Sequence, residues 1–320
     1  MFIPLPDWHY MRRSGLSSSD LAAIAKRSEY RSPRMVQREK LHPAERPAKR
    51  EVSEDMEWGN IMEPYVVARA CKKLGLALIP PDEWASVLGR TVLKCADGNA
   101  IKWMVFCPQW DIARSTPDNI ARTREGDLVL IEAKTTGVWR KWAKGVPRGV
   151  WWQVQWHLLV TGLKRAIVPV LFFGRTRKLE MFTVDLHPAF AGENPKALDV
   201  GRRWWDKHVV AKETCPPTGL DIPDQDREFA KTDGSTVALP LTYAKLYSTY
   251  ADLKTIETGQ KAKLKTITDE IREVEAQFRD GIGKAMFATI DGKPGVTYRL
   301  FTDRHGKRRL SRKEKPACPR

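Results

Sequence analysis

The sequence predicts an α/β fold: a mixed central sheet flanked by helices, with a helical extension towards the C-terminus. Three observations lead there. Apolar runs of strand length at 101–106 (IKWMVF), 127–135 (DLVLIEAKT), 167–173 (IVPVLFF) and 178–184 (KLEMFTV) are interspersed with stretches of helical apolar spacing. The resulting order of helix, strands, helix, strands, helix buries a sheet between helical layers. From residue 241 the pattern changes to one long stretch with apolar residues three and four apart.

Composition bounds the function. The 320 residues suffice for one large domain or two smaller ones, and 42% hydrophobic residues with 12 Trp build a substantial core. A formal charge of +16 points to a polyanionic partner, most simply nucleic acid. Cys71, Cys95, Cys107, Cys215 and Cys318 are scattered, with no C-x-x-C pair. That favours a reducing compartment and disfavours a zinc or iron–sulfur site. The opening MFIPLPDWHYMRR lacks a signal-peptide pattern, and nothing approaches the about 20 apolar residues of a membrane span. The expectation is a cytoplasmic protein that makes no membrane contact.

Taken in order, Arg12, Arg13 and Gly15 lead to Ser17, Ser18, Ser19 and Asp20 and then to LAAIA, a helix N-cap signal. The same geometry binds phosphate through backbone N–H groups and hydroxyls, with Arg12 or Arg13 adding charge. Residues 26–54, rich in Arg, Lys, Pro and Ser, read as an extended surface loop. Residues 54–75 have helical spacing; Pro64 is expected to free the carbonyl of Asn60 and kink that helix beside Glu63. Residues 80–89 read as a connection, and 101–106 as a strand pairing with 127–135. The run 151–162 (WWQVQWHLLVTG) is a helix packing on the sheet, and 197–207 a closing helix.

The chemistry gathers between residues 116 and 155. On a strand, residues i and i+2 share a side, so Glu132 and Lys134 project together and Ala133 faces away. Ionised groups at the end of a buried strand are costly unless paired, and catalysis is the reason to keep them there. A turn at Pro117-Asp118-Asn119 presents Asp118 against Glu132. Converging carboxylates cannot all ionise without a cation. Mg²⁺ prefers carboxylate oxygens and retained waters, and Mn²⁺ takes the same donors. Lys134 would orient or deprotonate a water, or stabilise transition-state charge; the residues leave those roles open. An incidental surface pair would carry the same letters. Here, however, the pair ends an apolar strand and is followed by Trp139, Arg140, Lys141, Trp142, Lys144 and Arg148, suited to phosphates and base faces. Gln153 and Gln155 would aim an amide at the site, while His157 reads as a packed or capped histidine.

The last third opens with a Pro-, Asp- and Gly-rich linker at 215–240. Residues 241–283 form a helical hairpin or coiled coil by spacing: Leu246, Tyr250, Leu253, Leu264, Ile267, Ile271, Val274 and Phe278, interrupted by Glu257, Gly259 and Gln260. It would pack on its own chain or on a second subunit. Residues 284–320 hold a hairpin around Gly-Lys-Pro-Gly and a basic tail expected to be disordered until it meets nucleic acid.

These motifs, in this order and over roughly the first two thirds of the chain, resemble the YqaJ-type phage recombinase nucleases, relatives of lambda exonuclease in the PD-(D/E)XK superfamily. The matching residues are Arg12 with Gly15-Leu16-Ser17-Ser18-Ser19-Asp20, then Ser28, Tyr30, Ser32, Pro33 and Lys40. They continue with Gly59 and Glu63-Pro64, Thr116-Pro117-Asp118, Glu132-Ala133-Lys134, and Gln153, Gln155 and Thr161-Gly162. Ser17-Ser18 stands where the pattern has a glycine pair, and Asn119 where it has a glycine; asparagine tolerates left-handed backbone.

The resemblance implies a PD-(D/E)XK, restriction-endonuclease-like core over residues 1–214. It implies Mg²⁺ held by Glu63, Asp118 and Glu132 with the Ala133 carbonyl, and Lys134 as the catalytic lysine. It further implies Arg12 or Arg13 with Ser19 on a DNA 5′-phosphate, and Gln153 or Gln155 supporting the site. The expected activity is 5′-to-3′ digestion of double-stranded DNA ends, leaving a 3′ overhang for a single-strand annealing protein. The expected assembly is a homotrimer, in a bacterial host and of phage or prophage origin. An endonuclease on the same fold, or a non-catalytic DNA-binding module, are the rival readings.

Overall fold

The computed structural model describes residues 5–44, 54–98, 100–173, 178–192, 195–228, 238–282, 287–288, 296–302 and 308–314. They fall into two compact units, Met1–Lys231 and Thr232–Arg320.

The first unit begins with three short helices, α1 (Trp8–Arg13), α2 (Ser18–Ile24) and α3 (Pro33–Leu41), followed by the long α4 (Glu54–Leu74). Local chemistry sets their starts. The Asp7 carboxylate accepts the Tyr10 N–H at 2.9 Å, and Ser32 Oγ accepts the Met35 N–H at 3.0 Å with Pro33 at the first helical position. Next come β1 (Ala77–Leu78), α5 (Trp84–Leu88), β2 (Val92–Asp97), β3 (Ala100–Cys107) and β4 (Trp110–Ser115). Then follow β5 (Asn119–Arg122), β6 (Leu128–Ile131), β7 (Lys134–Thr136), α6 (Arg148–Thr161), β8 (Arg165–Phe172), β9 (Lys178–Asp185), α7 (Lys196–Trp205) and α8 (Ile222–Glu228).

The central sheet runs β1-β5-β6-β8-β7, with β9 also on β8. It is mixed: β5 pairs antiparallel with β6, β6 and β7 both pair parallel with β8, and β9 closes antiparallel. Strands β2, β3 and β4 form a separate antiparallel sheet. Helix α6 is the core's axis. Its Val154, Trp156, Leu158 and Val160 are buried against Leu16 and Leu21 from the N-terminal helices, Ile120, Leu130 and Val168 from the sheet, and Leu198 from α7. Each such side chain contributes about 1.5–3 kcal/mol. The Trp156 indole N–H, which must find an acceptor once buried, donates to the Arg114 carbonyl at 3.1 Å.

The run at 127–135 is one strand in register but not in hydrogen bonding. Ile131 pairs with Ile167 and Lys134 with Val170, a constant offset on β8, so β6 and β7 are two halves of a single line. It is broken at Glu132-Ala133, where the Ala133 N–H turns to Asp118.

Several expectations are corrected. Residues 33–41, within the stretch expected to be a loop, are helical, because Ser32-Pro33 starts a helix despite the basic composition around it. Residues 81–88 form a short 3-10 turn and α5, anchored by buried Trp84, whose indole donates to the Ile79 carbonyl at 3.0 Å. Strand β3 pairs with its sequence neighbours β2 and β4 instead of with 127–135. Helix α4 runs through Pro64 without a break; Asn60 is exposed, so water can serve its freed carbonyl. The expected linker at 215–240 is anchored to the first unit over its first part: the Cys215 N–H donates to Gln37 at 2.8 Å, Ser32 Oγ to Asp221 at 2.5 Å, and Arg38 pairs with Asp224 at 3.7 Å.

In the second unit, α9 (Thr242–Ile282) is a single unbroken helix, so the hairpin alternative is removed. Strands β10 (Phe287–Ala288), β11 (Val296–Thr302) and β12 (Arg308–Glu314) form an antiparallel sheet. Residues 308–314, expected to be disordered, are thus an edge strand; lysine and arginine suit an edge. The Gly-Lys-Pro-Gly turn and residues 315–320 lie outside the described residues.

Gly15 shows how tightly the N-terminus is fitted. The Leu16 N–H donates to the Ile112 carbonyl at 2.7 Å, and a Cβ on Gly15 would stand 2.5 Å from that same oxygen. Gly15→Ala should therefore cost about 1–3 kcal/mol, read as a lower midpoint in urea denaturation; an unchanged midpoint would contradict this packing.

Candidate active site

Strand register brings the acids together. In the β5–β6 pair, Asn119 lies opposite Ile131, so the next position of each strand sets Asp118 opposite Glu132. Residues directly opposite in an antiparallel pair point to one face. The chains diverge there. The Asp118 carboxylate instead accepts the Ala133 N–H at 2.8 Å, while the Glu132 N–H goes to the Ile167 carbonyl at 3.1 Å. Lys134 Nζ reaches back to Glu132 Oε1 at 2.5 Å, as i and i+2 on one strand allow, and Gln153 Nε2 from α6 donates to the same oxygen at 2.6 Å.

Glu63 comes from α4. One turn before it, Gly59 lies so close to β7 that a Cβ there would be 3.5 Å from Thr135 Oγ1. Glu63 shares that helical face and feels Lys102, Glu132 and Lys134.

The charges are unevenly shared. Burial raises Asp118 well above the usual carboxylate range, and Glu132 pushes it further. Burial, aided by Glu132, also raises Glu63. Burial opposes the charge on Glu132 too, but Lys134 and His157 overcome it and hold that carboxyl below its ordinary value. For Lys134, burial is outweighed by Glu132 and Asp118, so its proton is held more firmly than usual. Without a cation, this is one anion, one ammonium and two reluctant carboxyls. Among the described residues, no three His, Cys, Asp or Glu side chains already converge as a metal-ligand cluster. Mg²⁺ does not require one, since it takes one or two protein carboxylates and keeps several waters. Asp118 with Glu132 fits that demand, and Glu63 is within their electrostatic reach.

A cavity of about 380 Å³ opens beside Lys134 and Gln153 and extends to Ser19 and Arg31, with Ser28, Lys141 and Trp142 on its walls. Gly149 makes this closeness possible, since a Cβ there would come within 2.8 Å of the Arg27 carbonyl. At the far wall, Arg12 donates to Ser19 Oγ at 2.9 Å and Arg31 does so at 3.3 Å. Behind them Asp20, wholly buried, accepts from Arg31 at 2.7 Å, Lys40 at 2.7 Å and Ser17. Burial alone would raise Asp20; Lys40, Arg31 and Arg12 together hold it well below the carboxylate range. Lys40 gains less, because its own burial outweighs the attraction of Asp20.

Of the residues expected here, Asp118, Glu132, Lys134 and Gln153 meet at one point, Glu63 adjoins them, and Arg12 contacts Ser19. Arg13 makes no described bond to Ser19; Arg12 takes that place. The N-terminus of α2 is not open to phosphate through its first N–H, because the Ser17 N–H donates to Asp20 at 2.8 Å. Gln155 is turned elsewhere, donating to the Asp185 carbonyl at 2.7 Å and accepting the His187 N–H at 2.8 Å. Helix geometry explains this, because residues i and i+2 are about 200° apart and cannot both face one site. Lys141 lines the cavity and pairs with Glu29, whereas Arg140 is exposed outside it. His157 was missed. It is fully buried, with Nε2 3.4 Å from Glu132 Oε2. Its place four residues after Gln153, on the same helical face, was the available signal.

A Glu-x-Lys pair on a sheet strand, an aspartate set opposite it and a glutamate from a neighbouring helix are the set expected of a PD-(D/E)XK nuclease. Residues 7–164 match the model of the YqaJ-like viral recombinase domain. No curated protein sequence matches the chain. Among solved structures, the chain is similar to LHK-Exo in complex with dAMP, with TM-score 0.46 and 16% identity over 70% of this chain and 97% of that one. It is also similar to the alkaline exonuclease LHK-Exo from Laribacter hongkongensis, with TM-score 0.46 and 14% identity over 70% and 98%. A third is a phage-related exonuclease from Haemophilus somnus 129PT, with TM-score 0.40 and 11% identity over 62% and 96%.

Removing Asp20 should leave buried cations uncompensated. Asp20→Asn is expected to lose about 3–5 kcal/mol of stability at neutral pH. Because the folded pKa lies below the unfolded one, that contribution is full above about pH 4 and is lost as pH falls further. Urea denaturation of both proteins between neutral and acid pH should show the gap closing; a pH-independent gap would contradict the ion cluster.

Proposed function

We propose that the protein is a divalent-metal-dependent exonuclease that digests double-stranded DNA from its 5′ ends. It would leave a 3′ strand for a single-strand annealing protein, in the cytoplasm of a bacterial host. The observation that carries this reading is the single cavity joining Lys134 and Gln153 to Ser19 and Arg31. Its volume falls within the about 300–1,000 Å³ of ordinary ligand sites. A hydroxyl served by two guanidinium groups is an anion handle, and here it shares the cavity with Lys134 and Gln153, the two donors to Glu132. A terminal 5′-phosphate seated on Ser19 and Arg12 would set how far the strand enters.

Asp118 and Glu132, with Glu63 and the Ala133 carbonyl, would hold Mg²⁺ or Mn²⁺. Such an ion supplies neutralisation of phosphate charge and a water of lowered pKa. The chain's own groups do the rest. Lys134, kept as an ammonium by Glu132 and Asp118, faces the cavity and suits stabilisation of charge developing on the phosphate better than proton abstraction. Gln153 holds Glu132 in place. Lys141 and exposed Arg140 add positive charge near the mouth, where a duplex would approach.

Self-association is proposed for α9. Leu246, Tyr250, Leu253, Leu264, Ile267, Ile271 and Val274 are all exposed, and with Glu257 and Gln260 they keep one heptad register along an unbroken helix. A second and third copy would cover that stripe, the polar pair fixing the register.

Four measurements test this reading. On end-labelled linear duplex with Mg²⁺, the 5′ label should be released first; release of the 3′ label, or cutting of a closed circle, would overturn the polarity. Lys134→Ala should lower cleavage by about 10²–10³-fold with duplex binding in EDTA retained, and Arg12→Ala should erase any preference for 5′-phosphorylated over 5′-hydroxyl ends. In native mass measurement a trimer is expected, reduced to monomer by Leu253→Lys with Ile267→Lys; a wild-type monomer would remove the assembly.

A further inference from the structure

Two buried atoms in the site are left without a hydrogen bond: Glu132 Oε2 and His157 Nε2. They face each other at 3.4 Å. Leaving both a buried carboxylate oxygen and a ring nitrogen unpaired is costly, so the contact between them is settled by the proton on the imidazole.

The other ring nitrogen settles it. Ser115 Oγ, at the end of β4, lies 2.5 Å from His157 Nδ1. A neutral imidazole carries its proton on one nitrogen only. With the proton on Nδ1, Ser115 would have to accept it, and the Nε2 lone pair would oppose an ionised carboxylate. With the proton on Nε2, the Ser115 hydroxyl donates to Nδ1 and Nε2–H is aimed at Glu132. Of the two neutral tautomers, only the second gives every atom a partner. The separation exceeds the about 2.7–3.2 Å of an N–H···O bond, so a small movement of ring or carboxylate completes the contact.

The two oxygens of Glu132 are thereby made unequal. Oε1 accepts from Lys134 and Gln153, both of which line the cavity, whereas Oε2 faces a fully buried ring. We infer that His157 is a positioning residue: held in one tautomer by Ser115, it anchors Oε2 inwards, so that Oε1 is the oxygen turned to the cavity. Gln153 and His157, one turn apart on α6, clamp the two oxygens of one carboxylate from a single rigid element. The consequence for metal binding rests on the proposed nuclease reading. Groups that orient a ligating side chain in this way typically govern metal affinity by about 10–100-fold.

The test is calorimetric titration of Mn²⁺ into the full-length, DNA-free protein, for wild type, His157→Leu, His157→Gln and Ser115→Ala. His157→Leu should bind Mn²⁺ about 10–100-fold more weakly. His157→Gln, whose amide can donate to Oε2 and accept from Ser115, should recover most of that loss, and Ser115→Ala should fall between. Thermal unfolding without Mn²⁺ separates packing from positioning, since affinity should follow the donor and not the melting temperature. Wild-type affinity in His157→Leu, or a Gln variant as weak as Leu, would overturn the inference. If His157→Leu does not fold, wild-type affinity in Ser115→Ala overturns it instead. A wild type that binds no Mn²⁺ would sink the metal reading itself, whereas full cleavage by Lys134→Ala would sink the nuclease reading and leave the titration interpretable.

Discussion

An ionised glutamate buried at the end of a sheet strand is the constraint on which the site depends. Glu132 is 1% exposed, and a charge in that position persists only if neighbouring elements bring donors to it. β7 brings Lys134, α6 brings Gln153, and His157 stands behind. Asp118 arrives through strand register, and its burial, joined by the same charge that Lys134 satisfies, opposes its ionisation. The break between β6 and β7 belongs to this arrangement. A continuous ladder would leave the Ala133 N–H with its ordinary sheet partner and Asp118 without a donor.

A second buried acid organises the opposite wall. Asp20 gathers Arg31 and Lys40 against the start of α2 and leaves Arg12 free to reach Ser19. Helix α2 packs on α6, which also carries Gln153, so the anion handle and the carboxylate clamp are fixed to the same core helix. In physical terms, two costly buried charges, each compensated locally, lie behind the two sides of one cavity: Asp20 behind Ser19 and Arg31, Glu132 behind Lys134 and Gln153.

The catalytic strip was legible because it obeys short-range rules. The i, i+2 alternation placed Glu132 with Lys134, and the Pro117-Asp118 turn implied the opposed acid. Strands β8 and β9 and helices α4, α6 and α7 were legible from apolar period alone. What failed depended on partners distant in sequence. Strand β3 carries no mark of which neighbour it will pair with, and Pro33 starts a helix within a composition that reads as loop. Gln155 was assigned to the site on residue type although helix geometry places it away from Gln153. His157 reads as packing, and it is fully buried; only its place one turn beyond Gln153 hints that it also faces Glu132. Arg31, the second guanidinium on Ser19, had no local signal; its role comes from α2 and the 26–32 segment meeting at Asp20.

The central claim is that Asp118 and Glu132, opposed where β5 and β6 end, are built for a divalent cation. Its most direct test is thermal unfolding with and without Mn²⁺, for wild type and Asp118→Asn, in the absence of DNA. A cation that binds only the folded state at 100 times its dissociation constant adds about 2.7 kcal/mol. The wild type should therefore melt higher with Mn²⁺. Asp118→Asn should melt at the same temperature with and without the ion. An unshifted wild type, or an equal shift in both proteins, would contradict the account.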